Sequence, residues 1–270
     1  MLFDNLKGIE PGRIIEPQKA SALEILLETA KEKVKEYEGK VSNTFQERHD
    51  NIYHPIYSEL QSLPDFTEHD LQSFLLAQSG ELPENQTVVR GIYSGVLLHL
   101  LTERYEAQEK STAFTFDLSG QRFDYLFYFA KRAGEVTVKN TVGNDTCSLM
   151  GAYNGKVEKL VIENNKGDGA ACWAGSDGGN VETILIHENK GNMAASLAGC
   201  DGGNVATILI HENEGNEAAC WAGSYGGKVE TLALYKAGSN ASIGANANSI
   251  LTGKKALALY EKLMRKLNDV

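Results

Sequence analysis

The run VETILIHENKGNMAASLAGCDGGN, from Val181 to Asn204, decides the fold of this chain because near copies of it precede and follow it. Successive copies begin 24 positions apart. They open at Val157, Val181, Val205 and Val229, and a weaker first copy opens at Ala133. A fixed period of this length indicates a solenoid, in which each coil buries its apolar face only against its neighbours. The sequence therefore predicts five stacked coils over residues 133 to about 249.

The first part of each coil predicts a strand followed by a turn. Aliphatic residues occupy positions 1, 4 and 6, as in Val181, Ile184 and Ile186, an alternation typical of a strand with one buried face. The ninth position is asparagine in three coils: Asn165, Asn189 and Asn213. We expect these side chains to point inward and to form a hydrogen-bonded ladder from coil to coil. Glycines at position 11 and at positions 22 and 23 mark the corners, where the absence of Cβ permits positive φ.

The repeat also carries a resemblance to a known family. The pattern Gly-Gly-x-Val-x-x-Ile-x-Ile-x-x-Asn-x-Gly-Asn resembles the glycine-repeat right-handed parallel β-helix at the C-terminus of glutamate synthase large subunits. This chain departs from the family in having a longer coil, with Ala-Ala-x-Trp-Ala-Gly where the family has further glycines. The leucine-rich-repeat frame L-x-x-L-x-L-x-x-N matches as well, but the second half of the coil lacks the leucines that a repeat helix would bury. The pattern favours the β-helix, and the resemblance implies a structural support without catalytic residues.

Residues 1–132 are predicted to form an all-helical module. Apolar stripes at helical spacing predict helices over residues 17–40, 42–63, 67–78 and 87–107, and Pro55 is expected to break or restart the second of them. The segment Ser119–Gly134 is rich in Phe and Tyr, which suits a strand. Ser119 as a cap and a basic pair before Gly134 favour a helix instead, so a helix leading into the first coil is predicted.

The predicted fold class is α+β. An N-terminal all-helical module (1–132) is followed by a domain (133–270) that contains a five-coil parallel β-solenoid of 24-residue period. A solenoid requires a lid at each end. Residues 254–267 have the apolar spacing of an amphipathic helix, and we expect this C-terminal helix to cap the solenoid.

Composition excludes several classes of partner. The chain has 26 Lys and Arg against 36 Asp and Glu, a net charge of −10 without a basic run, which argues against binding to nucleic acid or to anionic membrane. No apolar run approaches the roughly 18 residues that span a bilayer. The N-terminus lacks the layout of a signal peptide, and the four cysteines show no CxxC spacing. These features predict a cytoplasmic protein with reduced thiols.

An aliphatic row is predicted on the outward face of the strands. If positions 4 and 6 face inward, position 5 faces outward, and it is occupied by Val161, Leu185 and Leu209, beside Thr183 and Thr207. Water-facing strands do not usually carry such a row. We expect it to be an interface, covered either by the N-terminal helices or by a second copy of the chain.

Two sets of residues have metal-ligating chemistry. His187 and His211 share position 7 and should stack one coil apart, with Glu163 in the same column, so they can bind zinc or act in acid–base chemistry. The competing interpretation is a surface histidine that was copied with the repeat. A second set is His49, Asp50 and His54, although Pro55 disturbs the helical face that it would need.

Trp173 and Trp221 share position 17 with two leucines. Outward tryptophans would suit stacking on sugars, whereas the leucines favour a place in the core. Cys172 and Cys220 lie two coils apart, roughly 9.6 Å, which is too far for a disulfide.

The sequence as a whole favours a non-catalytic scaffold or a protein for interaction or self-association through the aliphatic row, because it has no nucleophile motif and no phosphate loop. It implies no cofactor. A carbohydrate-active or carbohydrate-binding β-helix is the alternative, and a metal-binding protein using the His187 and His211 column is the second alternative.

Overall fold

The computed structural model describes residues 20–268, and side chains through residue 265. The first residues of the predicted helix 17–40 therefore lie outside the described residues. Among the described helices, none combines the length and the apolar composition that crossing a bilayer requires.

The part of the chain that precedes the sheet is helical, as predicted. The helices are α1 (Ala22–Tyr37), α2 (Phe45–Arg48), α3 (His54–Leu60), α4 (Glu68–Ala77) and α5 (Glu84–Ala107). A 3₁₀ turn (Glu38–Lys40) follows α1, and a π-helical turn (His49–Tyr53) joins α2 to α3. Pro55 lies in the first turn of α3, where its missing N–H costs nothing, so the prediction of a restart there is confirmed.

Seven parallel strands follow in sequence order and form one sheet along the solenoid. The strands are β1 (Ala113–Asp117), β2 (Arg132–Lys139), β3 (Lys156–Glu163), β4 (Asn180–His187), β5 (Asn204–His211), β6 (Lys228–Tyr235) and β7 (Ala247–Thr252). Equal positions of neighbouring coils pair, as Val181 does with Val157 and Val205. The inward valines and isoleucines are fully buried. A parallel β-solenoid of about five turns is therefore confirmed.

The predicted helix over Ser119–Gly134 is wrong, because this segment completes a coil of the solenoid. Tyr125, Phe127 and Phe129 have φ values of 60°, 56° and 62°, and such alternation is incompatible with an α-helix. The segment hydrogen-bonds to the next coil, with the Cys147 amide donating to the Leu126 carbonyl at 2.7 Å. The sheet consequently begins at Ala113, ahead of the predicted first coil. The division of the chain into two domains stays a prediction.

The second wall of each coil is a run of turns rather than a strand. In the coil that follows β3, Ala171, Trp173 and Gly175 all have left-handed φ. Their amides donate to neighbouring coils, as the Trp173 amide does to the Ser196 carbonyl at 2.9 Å. In the later coils this wall carries the buried alanines of Ala-Ala-x-Trp-Ala-Gly, whereas Leu126 and Met150 occupy the position of Ala174 in the first two coils.

Helices α4 and α5 close the N-terminal end of the stack. Side chains of α4 accept from the free edge of β1: Glu68 from the Thr115 amide at 2.7 Å and Gln72 from the Asp117 amide at 3.0 Å. On α5, a Cβ added to Gly95 would overlap the Tyr128 carbonyl, so this helix lies directly against the first coil. The exposed strand edge is thereby protected from pairing with other chains.

The C-terminal helix α6 (Lys254–Asn268) lies on the outer face of the sheet instead of across its open end. Ala256 and the partly buried Leu259, Tyr260 and Leu263 pack against the outward aliphatic row. The row is therefore covered by a helix of the same chain that the sequence had placed elsewhere, and not by α1–α5.

Candidate functional site

The three ladder asparagines form a continuous chain of buried hydrogen bonds. The Asn165 amide donates to the Asn189 side-chain oxygen at 2.8 Å, and Asn189 donates to Asn213 at 2.6 Å. Each also donates to the glycine carbonyl two residues further on. All three side chains are buried. The ladder links successive coils through their interior and exposes no group to a ligand.

In the part of the chain that the structure describes, the aliphatic row is buried and offers no exposed surface to a protein partner. Val161, Leu185 and Leu209 are 1%, 0% and 1% exposed, because α6 packs on them. Thr183 and Thr207 are paired in register beside the row and are half-buried. A partner could reach this face only after α6 had left it.

The two histidines of position 7 lie in contact at the carboxyl ends of β4 and β5. Nδ1 of His187 and Nδ1 of His211 are 3.0 Å apart. His211 lies between two aromatic rings, Tyr260 of α6 at 3.9 Å and Tyr235 of β6 at 5.0 Å between centroids. Burial and the neighbouring His187 lower the pKa of His211, which keeps its imidazole neutral at neutral pH.

Glu163 lies in register with His187, as the column predicts, but its carboxylate pairs with Lys139 at 3.1 Å. The carboxylate that joins the histidine pair is Glu212. Single ligand atoms of His187, His211 and Glu212 all lie within 4.8 Å of one another. Sequence reasoning missed Glu212 because position 8 of the coil turns back with φ of 57°, which a strand alternation does not anticipate.

The second wall carries an outward column at position 17, which we call the Trp column: Tyr125, Leu149, Trp173, Leu197 and Trp221. Its lower half is covered by the helices. Leu149 is 1% exposed, and the Phe45 ring of α2 meets the Trp173 ring edge-on at 5.5 Å. Its upper half is open, since Trp221 is 48% exposed. The two tryptophans therefore differ in environment although they share a coil position.

The upper Trp column is part of a shallow apolar groove with an acidic rim. Met193, Leu197, Trp221 and Ile243 line the groove together with Glu217. Met193 and Ile243 are exposed, as is Tyr225 on the same coil as Trp221. Glu217 is the charged residue of this lining, and Asp177 and Asp201 follow Trp173 and Leu197 by four positions in the sequence.

The π-helical turn brings together the other predicted metal set. The rings of His49 and His54 are 4.4 Å apart, and His49 Nδ1 lies 3.1 Å from Asp50. In the described chain Nε2 of His49 is buried without a hydrogen-bond partner. Burial, with smaller effects of the nearby His54 and Lys131, lowers the pKa of His49 to about 4. Single ligand atoms of His49, Asp50 and His54 lie within 4.8 Å of one another, so the structure brings this predicted set together.

An interior relay that sequence reasoning missed lies between α5 and the helices before it. The Tyr53 hydroxyl is 2.6 Å from His99 Nδ1, and His99 Nε2 is 3.2 Å from Glu103. Tyr53 is fully buried, and burial raises the pKa of its hydroxyl. The order of the three groups resembles that of a proton relay, but the Tyr53 hydroxyl is not accessible to solvent or to a substrate. The three groups therefore satisfy one another's hydrogen bonds in the interior.

The four cysteines are free and buried. Burial raises the pKa of Cys147 and of Cys172, which makes both thiols poor nucleophiles.

The chain matches no family model, no curated protein and no solved structure. Of the predicted resemblance to the glutamate synthase β-helix, the structure shows a parallel β-solenoid, and no comparison names that family.

Proposed function

We propose that this protein is a non-catalytic interaction scaffold, whose solenoid presents the upper Trp column to a basic, helical segment of another protein. One observation carries the proposal. Trp173 is covered by a helix of the same chain, whereas Trp221, at the same coil position two coils later, is 48% exposed. Concentrated exposed apolar side chains on an otherwise polar surface are typical of a protein interface.

Helix α2 covers the lower half of the Trp column, and its contacts indicate which kind of segment can bind the upper half. Helix α2 presents Phe45 to Trp173, and Arg48 donates to the Tyr128 hydroxyl at 3.3 Å. A partner helix with an aromatic residue would make the first of these contacts two coils higher, on Trp221. The position two coils above Tyr128 is the buried Ser176, so an arginine three positions after the aromatic residue would have Glu217 of the groove as its partner instead. Edge-to-face aromatic pairs and desolvated aromatic anchors contribute strongly to such interfaces.

The charge around the groove argues against a second copy as the occupant. Glu217 lines it, and Asp177 and Asp201 lie on the same wall. A two-fold dimer through this surface would bring two acidic chains together, each with Glu217 in the interface. A basic partner segment gains from the same charges.

The test uses Trp221 as its own reporter. In the variant Trp173→Phe, Trp221 is the single tryptophan of the chain. The probe is a stapled helical peptide of about 16 residues that carries Phe and, three residues later, Arg. We expect saturable binding with a blue shift of the Trp221 emission.

Matched variants distinguish binding at this site from non-specific binding of the peptide. Leu197→Asp should weaken binding about ten-fold or more, since it places a charge beneath the peptide, whereas Leu82→Asp, at an exposed leucine outside the solenoid, should leave it unchanged. Replacing the peptide arginine by glutamate should weaken binding similarly. Equal binding by the Leu197 variant, or by the glutamate peptide, would overturn the proposal. Trp221-dependent binding of glycans without peptide binding would replace it with the carbohydrate function.

A further inference from the structure

The histidine pair at the ends of β4 and β5 has a geometry that a packing role does not require. Its two Nδ1 atoms face each other at 3.0 Å, so they share either one proton or one metal ion. Two nitrogens bound tetrahedrally to zinc at roughly 2.0–2.1 Å lie roughly 3.3–3.4 Å apart. A shift of a few tenths of an ångström therefore converts the hydrogen bond into a pair of metal ligands.

A third ligand is in place, and a second carboxylate lies near the outer nitrogen of His187. The Glu212 carboxylate belongs to the same cluster, within 4.8 Å of both imidazoles. Glu188 lies 3.6 Å from Nε2 of His187, on the side of the ring that faces away from His211. Metal-bound histidines commonly donate their other N–H to a carboxylate, which fixes the tautomer and the direction of the ring.

The surroundings hold the ligands and leave an entry path. His211 is 7% exposed and stacks between Tyr235 and Tyr260, so its ring direction is fixed. Beside the pair, an open cleft is lined by Glu188, Glu212 and Glu214 together with two lysines. One of these, Lys236, pairs with Glu212 at 2.8 Å and would have to release it. Both side chains of that pair reach solvent, where such ion pairs are weak.

We infer that His187, His211 and Glu212 bind one divalent transition-metal ion of the zinc class, with water completing the coordination. Two imidazoles and one carboxylate suit zinc, and three protein ligands leave one position open. The ion would join two coils beneath Tyr260 of α6 and so stabilise the seat of that helix. This site lies on a different wall from the Trp column and does not depend on the partner proposed above.

The experiment titrates Zn²⁺ alone into the chelator-treated full chain by calorimetry. We expect one equivalent to bind and the melting temperature to rise with zinc concentration. Both His187→Ala and His211→Ala should abolish the heat of binding, and Glu212→Gln should weaken it about ten-fold or more. His54→Ala, in the second histidine cluster, is the matched control and should keep one equivalent.

Two further readouts keep the result decisive. His211 is buried, so its replacement is expected to lower stability. His187 is half-exposed, and its variant provides the test, with far-UV circular dichroism to verify the fold. Co²⁺ in place of Zn²⁺ should give the visible bands of a tetrahedral nitrogen–oxygen site in the native protein and in the His54 variant only. Absence of zinc binding by the native chain, or binding that survives both His187→Ala and His211→Ala or is lost with His54→Ala, would overturn the inference.

Discussion

Replacing Asn189 by alanine tests whether the interior ladder holds the coils together. Asn189 is fully buried and makes three side-chain hydrogen bonds. It accepts from Asn165 at 2.8 Å and donates to Asn213 at 2.6 Å and to the Gly191 carbonyl at 2.7 Å. Alanine removes all three bonds and leaves the Asn213 oxygen and the Gly191 carbonyl without that donor.

The magnitude follows from the groups that lose partners. A buried polar group left unsatisfied costs about 1–3 kcal/mol. Asn165 keeps its second bond to the Gly167 carbonyl, so the full cost falls on the acceptors. We expect Asn189→Ala to lower the free energy of unfolding by about 2–4 kcal/mol. Asn189→Asp should cost at least as much, because its carboxylate would face the Asn213 oxygen as a second acceptor.

The control is Asn204, whose amide donates to Asn180 in the neighbouring coil at 2.8 Å but at a half-buried corner. Water can replace that bond, so Asn204→Ala should cost less than about 1 kcal/mol. Urea unfolding followed by circular dichroism measures both variants against the parent chain. Equal losses at the two positions would show that the interior ladder contributes no more than a surface bond, and the reasoning would fail.

Three further expectations follow from the packing. Leu185→Lys buries a charge beneath α6 and should lower stability by about 3 kcal/mol or more while sedimentation shows an unchanged assembly state; a smaller particle would contradict this. Gly95→Ala should cost about 2 kcal/mol in thermal unfolding because its Cβ meets the first coil, whereas Gly39→Ala, in open space, should stay within about 0.5 kcal/mol. Burial lowers the pKa of His99 to about 4. Below about pH 6.5, His99 is therefore protonated in the unfolded chain but stays neutral in the folded chain. His99 should therefore contribute a fall in stability of about 2 kcal/mol between pH 7 and pH 5, in addition to the fall from His49, whose pKa is also lowered to about 4. When melts are compared across that range, the fall should be about 2 kcal/mol smaller in His99→Asn, and an equal fall in both proteins would exclude a contribution from His99.

The sequence predicts most of the fold because the same 24-residue pattern recurs in successive coils. A 24-residue period and aliphatic alternation suffice to place β3 to β6, and the helix predicted over residues 67–78 is found as α4. The sequence did not predict the first coil, because this coil lacks the alanines of the later coils and has Tyr125, Phe127 and Phe129 on the same wall. Their left-handed φ values are imposed by stacking on the next coil, and local propensity carries no sign of that tertiary constraint.

The candidate sites were only partly predictable, for a related reason. Register alone brings His187 to His211, since parallel pairing in phase stacks equal positions. The third ligand depends on the turn after β5, and the orientation of His211 depends on Tyr260, which lies on α6, far along the chain. An amphipathic stripe shows that α6 must cover something apolar; it does not say which surface.

The same reasoning explains how a repetitive chain acquires distinct surfaces. In the interior, each coil packs against coils of the same sequence pattern, so its inward residues stay close to the repeat. Outside, the walls differ in what covers them: α6 packs on the aliphatic row, and Phe45 of α2 packs against Trp173, whereas Trp221 is 48% exposed. The two ends of the Trp column therefore differ in exposure although they share a coil position. The proposed partner site lies at the end of this column where the repeat continues without such a cover.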